Sequence, residues 1–127
     1  MPLTIEENVN NEEHILIVKP YDKMFLHDLQ IFILKFEYYI LTYEKFKCIF
    51  DLRDMQDSPL DLTLKLAQFM KKNRSKIKKT LLCSIIIVNN NLTKNFLNVL
   101  FSIVEPASPY YITNNIGDIQ HYIYVKN

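Results

Sequence analysis

The alternation of apolar and polar residues changes character after the first strand-like segments of the chain. Residues 3–9 alternate weakly, residues 14–19 form a more apolar run, and the polar residues between them are typical of a tight turn. The two segments are therefore predicted to pair as antiparallel strands. Pro20 ends the second strand because proline cannot donate to a strand ladder, and Asp22 then stands where a helix N-cap is expected.

Apolar residues recur at three- and four-residue intervals from position 23 to about 43, which predicts the first helix. Downstream, apolar runs alternate with amphipathic segments. The predicted strands cover residues 46–52, 81–88 and 110–113, and the predicted helices cover residues 60–72, 92–104 and 116–124. The order β-β-α-β-α-β-α-β-α indicates a single α/β domain over residues 1–127, with a mostly parallel sheet and one antiparallel N-terminal edge strand.

Composition excludes several classes of function. Gly117 is the single glycine, so a Gly-rich loop that cradles phosphates is excluded. The N-terminal residues are acidic where a secretory signal needs a basic end, and the apolar stretch 24–43 is interrupted by charges, so neither a signal nor a membrane span is predicted. Cys48 and Cys83 lie in apolar runs and are expected to be reduced core residues of a cytoplasmic protein.

Charge is distributed unevenly along the chain, although the formal net charge is only +1. Residues 1–63 carry 12 acidic and 6 basic side chains, whereas residues 64–127 carry 2 acidic and 9 basic ones. Helix C-termini favour cations, which explains two or three charges of the basic run 71–79 but not all six. The run is therefore a candidate contact for a protein partner first, nucleic acid second and anionic lipid third, and it also fits a nuclear-localisation pattern. Its members are Lys71, Lys72, Arg74, Lys76, Lys78 and Lys79.

Several short segments carry a resemblance to a known family. LTIE, HILIVKP and FDLRDM lie in the first three predicted strands, Asp57-Ser58 precedes the second helix, and PYYITNNIGDIQHYI spans the last strand and helix. Together they resemble the STAS domain, the fold of SpoIIAA-like anti-anti-sigma factors, and more distantly the Sec14-like domains. In the STAS family a partner kinase phosphorylates a serine of the motif that Asp57-Ser58 resembles. The resemblance thus implies a phospho-switch at Ser58, although Pro59 and Leu60 stand where the family has a second hydroxyl residue and a glycine.

Ser58 also has a purely structural explanation. Serine is a favoured N-cap, Pro59 suits the first helical position, and Asp61 near the helix start favours the helix dipole. The four aspartates within residues 51–61 would repel a phosphate group. Capping is therefore the preferred interpretation, and phosphorylation is the alternative.

No arrangement of residues typical of catalysis is visible. His14, His27 and His121 lie on different predicted elements, without a cysteine or acid at ligand spacing. The aspartates within residues 51–61 could hold Mg²⁺ at the carboxyl end of a strand, but such a cluster is more often a solvated turn. The sequence therefore predicts a protein that is not an enzyme and that has no catalytic residue, metal or cofactor.

The first and third predicted helices carry more aromatic and apolar residues than one core-facing stripe requires. Some of these residues should stay exposed and contact a partner. The candidates are Phe32, Phe36, Tyr39, Leu97 and Phe101. These features predict a non-enzymatic protein-interaction or regulatory module that self-associates or binds a partner protein.

Three other functions stay open from the sequence. A structural or assembly subunit with the same fold would be found in a larger particle. A small-ligand or lipid carrier of the Sec14-like type would contain an apolar cavity under the first helix. A nucleic-acid binder that uses residues 71–79 would lose affinity steeply as salt rises.

Overall fold

The computed structural model describes residues 3–10, 13–57, 59–88, 91–115 and 117. The strands and helices predicted up to residue 113 are found along these residues, together with two short strands and one short helix that were not predicted. In chain order they are β1 (Leu3–Asn10), β2 (Glu13–Pro20), β3 (Asp22–Lys23), α1 (Leu26–Thr42), β4 (Phe46–Asp51), β5 (Met55–Asp57), α2 (Leu60–Lys72), α3 (Arg74–Thr80), β6 (Leu81–Ile87), α4 (Asn91–Ile103) and β7 (Tyr110–Thr113).

Five of these strands form one sheet in the order β1-β2-β4-β6-β7. β1 pairs antiparallel with β2, with Leu3 opposite Pro20 and Asn10 opposite Glu13, and the other three pairings are parallel. The predicted α/β fold class, with a mostly parallel sheet and an antiparallel N-terminal edge, is confirmed. β6 lies between β4 and β7, which explains why its sequence is almost continuously apolar.

Successive residues of each strand point to opposite faces of the sheet. On one face, Leu16 and Cys48 belong to a hydrophobic cluster that includes Phe36 of α1 and residues of α2 and α3. On the other face, Ile49 and Ile85 belong to a separate buried cluster of isoleucines. Cys48 is buried on the helix-covered face, and Cys83 is buried as well, so both are core thiols as predicted.

The start of α1 differs from the prediction, because Asp22 is not its N-cap. Asp22 lies in β3 with a left-handed φ of 49°, a conformation that aspartate tolerates, and Phe25 is the N-cap. The backbone N–H of Phe25 donates to Oδ2 of the buried Asp28 at 3.0 Å. A carboxylate at the third helical position therefore stabilises the helix start in place of an N-cap side chain.

Part of the segment predicted as a loop after the second helix forms a helix, α3. Ile77 and Thr80 are buried on one side of α3, and Oγ1 of Thr80 donates to the carbonyl of Lys76 at 2.7 Å. A helix of seven residues is too short for its hydrophobic period to stand out in the sequence. The closing helix predicted over residues 116–124 lies outside the described residues apart from Gly117.

In the part of the chain that the structure describes, every helix is too short or too polar to cross a membrane.

Candidate functional site

The chain turns sharply after β4, at the carboxyl end of the parallel sheet. The N–H of Leu52 still donates to Ile87 of β6 at 2.9 Å, and the N–H of Met55 then donates back to Leu52 at 3.3 Å. β5 follows and pairs parallel with β3. This turn and the short β3–β5 pair lead the chain to Asp57, which ends β5 three residues before α2 begins.

α2 begins at Leu60 with Pro59 at the N-cap position, one residue later than the prediction that Pro59 is the first helical residue. Ser58, the predicted cap and candidate phosphorylation site, lies outside the described residues. The predicted switch at Ser58 and Asp57 therefore stays a prediction. Asp61 lies in the first turn of α2, where an acidic side chain interacts favourably with the helix dipole, as expected.

One of the aspartates near Ser58 is already neutralised by a partner. Nε of Arg53 donates to Oδ1 of Asp51 at 2.8 Å and Nη2 donates to Oδ2 at 2.7 Å, which is a bidentate ion pair. Burial alone would raise the pKa of the Asp51 carboxyl, but the hydrogen bonds and the charge of Arg53 outweigh burial and lower it. Repulsion of a phosphate group at Ser58 is thus weaker than four unpaired carboxylates would produce.

All six cations of the basic run are exposed. Lys71 and Lys72 occupy the last turn of α2, and Lys78 and Lys79 occupy the last turn of α3. Because a second helix, α3, ends one residue after the run, the helix dipole explains four charges instead of the expected two or three. Nη1 of Arg74 donates to the carbonyl of Glu105 at 2.7 Å, so a fifth cation ties α3 to the chain after α4.

The predicted interface residues are mainly core residues. Phe36 is 4% exposed and Tyr39 is 1% exposed, and Phe32 and Leu97 are buried as well, whereas Phe101 is half-buried. Phe36 packs edge-on against Phe46 of β4, with ring centroids 5.6 Å apart. These four buried residues, Phe32, Phe36, Tyr39 and Leu97, are therefore not surface residues. Their rows of α1 and α4 face the sheet and α2 rather than solvent.

A different apolar row of α1 faces outward. Leu34 is 69% exposed, Tyr38 is 50% exposed and Leu41 is 68% exposed. Their spacing of four and then three residues places them on one side of the helix, and we call them the α1 outer row. Lys35, next to the row, pairs with Glu7 of β1, and its Nζ lies 5.5 Å from the centroid of the Tyr38 ring. This row is not among the interface residues predicted from the sequence, although its helical spacing is visible there.

A cavity of about 170 Å³ lies between the sheet and the helices. Its walls include Phe32 of α1, Phe69 of α2, Leu100 of α4 and Ile86 of β6. The described lining is apolar except for two serines, Glu105 and the hydroxyl of one tyrosine.

The described His, Cys, Asp and Glu side chains were predicted to form no metal centre, and their positions can be compared with that prediction. Within the described part of the chain, no three or more His, Cys, Asp or Glu side chains lie close enough together to hold a metal ion. The ring of His14 stacks on Tyr43 with centroids 3.8 Å apart, and His27 is exposed at the start of α1. His121 lies outside the described residues.

No family model and no curated protein matches the chain, but solved structures do. An uncharacterised protein of the DUF3478 family with a SpoIIAA-like fold, from Shewanella loihica PV-4, has a TM-score of 0.68 at 12% identity, over 94% of this chain and 92% of that protein. The anti-sigma factor antagonist SpoIIAA in its unphosphorylated form has a TM-score of 0.59 at 10% identity, over 98% and 100% of the two chains. An anti-sigma factor antagonist from Mycobacterium paratuberculosis has a TM-score of 0.58 at 10% identity, over 97% and 95%.

These likenesses define the class of fold. The chain is an α/β domain with the SpoIIAA-like fold. This is the STAS-type fold that its sequence segments resemble, and the predicted resemblance is confirmed at the level of the fold.

Proposed function

We propose that the chain is a non-enzymatic regulatory module that binds another protein through the α1 outer row. Two of the similar structures are anti-sigma factor antagonists, which supports a regulatory role for a chain of this fold. The observation that carries the proposal is the exposure of Leu34, Tyr38 and Leu41 on one side of α1.

The α1 outer row is suited to protein contact for an energetic reason. Leu34 and Leu41 each keep about two thirds of their surface in water, although neighbouring residues of the same helix are buried. Burying a leucine side chain is worth about 1.5–3 kcal/mol, and tyrosine is enriched at protein interfaces. Lys35 and Glu7 supply charge at the edge of the row, as the polar rim of an interface does.

One partner that the proposal includes is a second copy of the same chain. The first half of the chain is acidic and the second half is basic, with net charges of −6 over residues 1–63 and +7 over residues 64–127. Opposite charge on two copies accelerates their encounter and orients it. The apolar row would then supply the affinity that exposed ion pairs do not.

Phosphorylation of Ser58 is the regulatory step that the family resemblance adds to the proposal. Ser58 is two residues from the start of α2, where a phosphate group would interact favourably with the helix N-terminus. The pairing of Asp51 with Arg53 supports this step because it removes one of the opposing charges.

The proposal is tested by site-specific photocrosslinking in cells of the native source. Tyr38 is replaced by p-benzoylphenylalanine, and the matched control carries the same residue at Leu64, which is 42% exposed on α2. We expect a protein adduct from position 38 alone, at twice the chain mass if the partner is a second copy. The adduct should disappear when Leu34→Asp and Leu41→Asp are added. Equal adducts from both positions, or none from position 38, would contradict the proposed interface.

A further inference from the structure

The edge strand β7 carries no charged side chain that would prevent another strand from pairing with it. β7 is the last described strand of the five-stranded sheet, so one side of its backbone has no neighbouring strand among the described elements. Natural edge strands are commonly protected from pairing by charged side chains. Residues 106–117 contain none, whereas β1, at the other edge, carries the exposed Glu6 and Glu7. Of the two edges, β7 is therefore the one that is suited to accept a further strand.

The hydrogen bonds between β6 and β7 show which backbone groups lie at the outer edge. The N–H of Ser84 donates to the Pro109 carbonyl at 3.0 Å, and the N–H of Val88 donates to the Thr113 carbonyl at 2.9 Å. Backbone groups along a strand alternate between its two sides, so the N–H and C=O groups of Tyr110 and Ile112 point away from β6. The outer edge therefore presents two donors and two acceptors.

The side chains of the same two residues lie exposed on one face of the sheet. Tyr110 is 41% exposed and Ile112 is 46% exposed. Both lie on the face that α4 covers, because residues two apart share a face and the Tyr110 ring is 5.0 Å from the Phe101 ring of α4. A strand added here would gain apolar contact as well as main-chain hydrogen bonds.

A second copy of β7 is complementary to this edge. Two copies related by a twofold axis would place their β7 strands antiparallel. With the axis at Tyr111, Tyr110 of each copy lies opposite Ile112 of the other, and the two residues exchange both of their N–H to C=O bonds. An aromatic residue opposite a β-branched residue is a favourable cross-strand pair. Pro109 then lies opposite Thr113, where the missing N–H of proline is not needed because the backbone groups of both residues face β6.

Charges on the flank of β7 are also complementary between two copies. Lys94 is exposed on α4, two helical turns before Phe101, and Glu105 is exposed just after the end of α4. A twofold axis at Tyr111 reverses the direction of α4 in the second copy, so the Lys94 end of one copy approaches the Glu105 end of the other. Opposite charges thus meet at both ends of the contact, which favours this orientation.

We propose that two copies of the chain pair antiparallel through β7 and form one continuous sheet, with five strands from each copy. This contact goes beyond the proposed function, because it lies at the opposite edge from the α1 outer row. Lys35 of α1 pairs with Glu7 of β1, and β1 and β7 are the two ends of the sheet. Each dimer would present two α1 outer rows, and a partner with two binding sites would bind them more tightly than one.

The oligomeric state is measured by analytical ultracentrifugation of the whole chain over a concentration series. We expect a reversible dimer of twice the chain mass of 15.2 kDa. Ile112→Lys should weaken the dimer by at least about tenfold, because it places a charge within each cross-strand pair. Val9→Lys makes a comparable change at an exposed position of β1 and should leave the dimer unchanged. A monomer at every concentration up to the solubility limit would overturn the proposal.

Folding of the variants is checked by their melting temperatures. If Ile112→Lys lowers the melting temperature, Tyr110→Lys replaces it, since that side chain is also exposed at the edge. A folded variant at either position that dimerises as tightly as the Val9→Lys control would show that β7 is not the contact.

The register is tested by disulfide formation between two single-cysteine substitutions. Tyr110→Cys and Ile112→Cys are given different affinity tags, mixed and oxidised, and we expect a disulfide that joins one variant to the other, because their Cα atoms lie opposite each other at about 5.5 Å. Each variant alone should form little disulfide, because its own two copies are offset by two residues, roughly 7 Å along the strand. Cys48 and Cys83 are buried and should not react. Equal yields from the mixed and unmixed samples would contradict this register.

The α1 outer row provides the control that separates the two interfaces. Leu34→Asp with Leu41→Asp should leave the β7 dimer unchanged, although the same change should abolish the crosslink from position 38. A dimer that is lost in this double variant and kept in Ile112→Lys would place the contact on α1 and overturn the β7 assignment, while still supporting the proposed function.

Discussion

Arg53 reaches back two residues and holds both carboxylate oxygens of Asp51 at the carboxyl end of β4. The side chain of Asp51 is 7% exposed and that of Arg53 is 31% exposed, so the pair is partly withdrawn from water. The N–H of Arg53 also donates to Oδ1 of Asp51, at 3.3 Å. This local network fixes the turn that leads to β5 and to the Asp57-Ser58 motif.

Replacing Arg53 by Gln should destabilise the protein at neutral pH by about 2 kcal/mol, because a buried carboxylate loses its charged donor. In the wild type the lowered pKa of Asp51 contributes stability that is present above the unfolded pKa of 3.8 and lost as the pH falls below it. In Arg53→Gln the Asp51 carboxyl stays buried without its charged donor, so burial raises its pKa. The free-energy cost of burying the unpaired carboxylate then falls as Asp51 becomes protonated. Urea unfolding at pH 7 and pH 3.5 measures this change.

The difference in stability between wild type and Arg53→Gln should therefore shrink as the pH falls. Asp54→Asn, at an exposed aspartate of the same turn, is the control and should change stability by less than about 0.5 kcal/mol. A difference between wild type and Arg53→Gln that stays constant from pH 7 to pH 3.5 would show that Asp51 titrates alike in both proteins.

The direction in which each side chain of α1 points could not be predicted from the sequence. Apolar residues occupy most sides of this helix, so periodicity alone does not distinguish the row that contacts the sheet from the row that faces water. Phe36 packs in the core, whereas Leu34, two residues earlier, is 69% exposed. The tertiary position of the helix decides between them.

A pair of alanine substitutions tests this assignment. Phe36→Ala should cost about 3–5 kcal/mol, the usual cost of removing a buried phenylalanine, whereas Leu34→Ala should cost less than about 0.5 kcal/mol. Urea unfolding of both variants under one condition gives the comparison. Similar losses at the two positions would mean that α1 is rotated relative to the orientation described.

At the scale of elements, the hydrophobic pattern predicted every strand of the five-stranded sheet and the helices α1, α2 and α4. It succeeded because these elements have clear apolar runs or amphipathic periods. It failed where an element is short: β3 has two residues, and α3 has seven. Asn73 separates α2 from α3, and its side chain donates to the Phe69 carbonyl at 3.0 Å while its own carbonyl accepts from the N–H of Ile77 at 2.9 Å.

Charge reversal on α3 should have effects that depend on position along the helix. Lys78→Glu with Lys79→Glu places acids in the last turn and should destabilise the protein by about 1 kcal/mol at low salt. Lys76→Glu, near the start of α3, is the control and should be neutral or slightly stabilising for the same electrostatic reason. Chemical unfolding at low and high salt measures both effects. Equal losses for the two variants would remove the helix-dipole explanation of the basic run.

At the scale of the whole molecule, the fold could be predicted from the sequence further than the candidate sites could. The SpoIIAA-like fold follows from the order of elements, which local patterns record. The cavity of about 170 Å³ depends on the distances at which α1, α2 and α4 pack on the sheet, and no local pattern records those distances. The exposure of the α1 outer row also depends on how α1 packs on the sheet. The uneven charge of the two halves of the chain can be read from the sequence, but the surface that the charged residues contact cannot.

The central claim is that this chain works by binding another protein, and native mass spectrometry of the protein purified from its own source tests it most directly. The chain mass of 15.2 kDa gives the reference for a monomer. We expect, at low and moderate salt, either a multiple of this mass or a stable complex with a second protein, and the intact mass of the chain would also show a phosphate group. A bare monomer at both salt concentrations, with no retained protein, would contradict the claim.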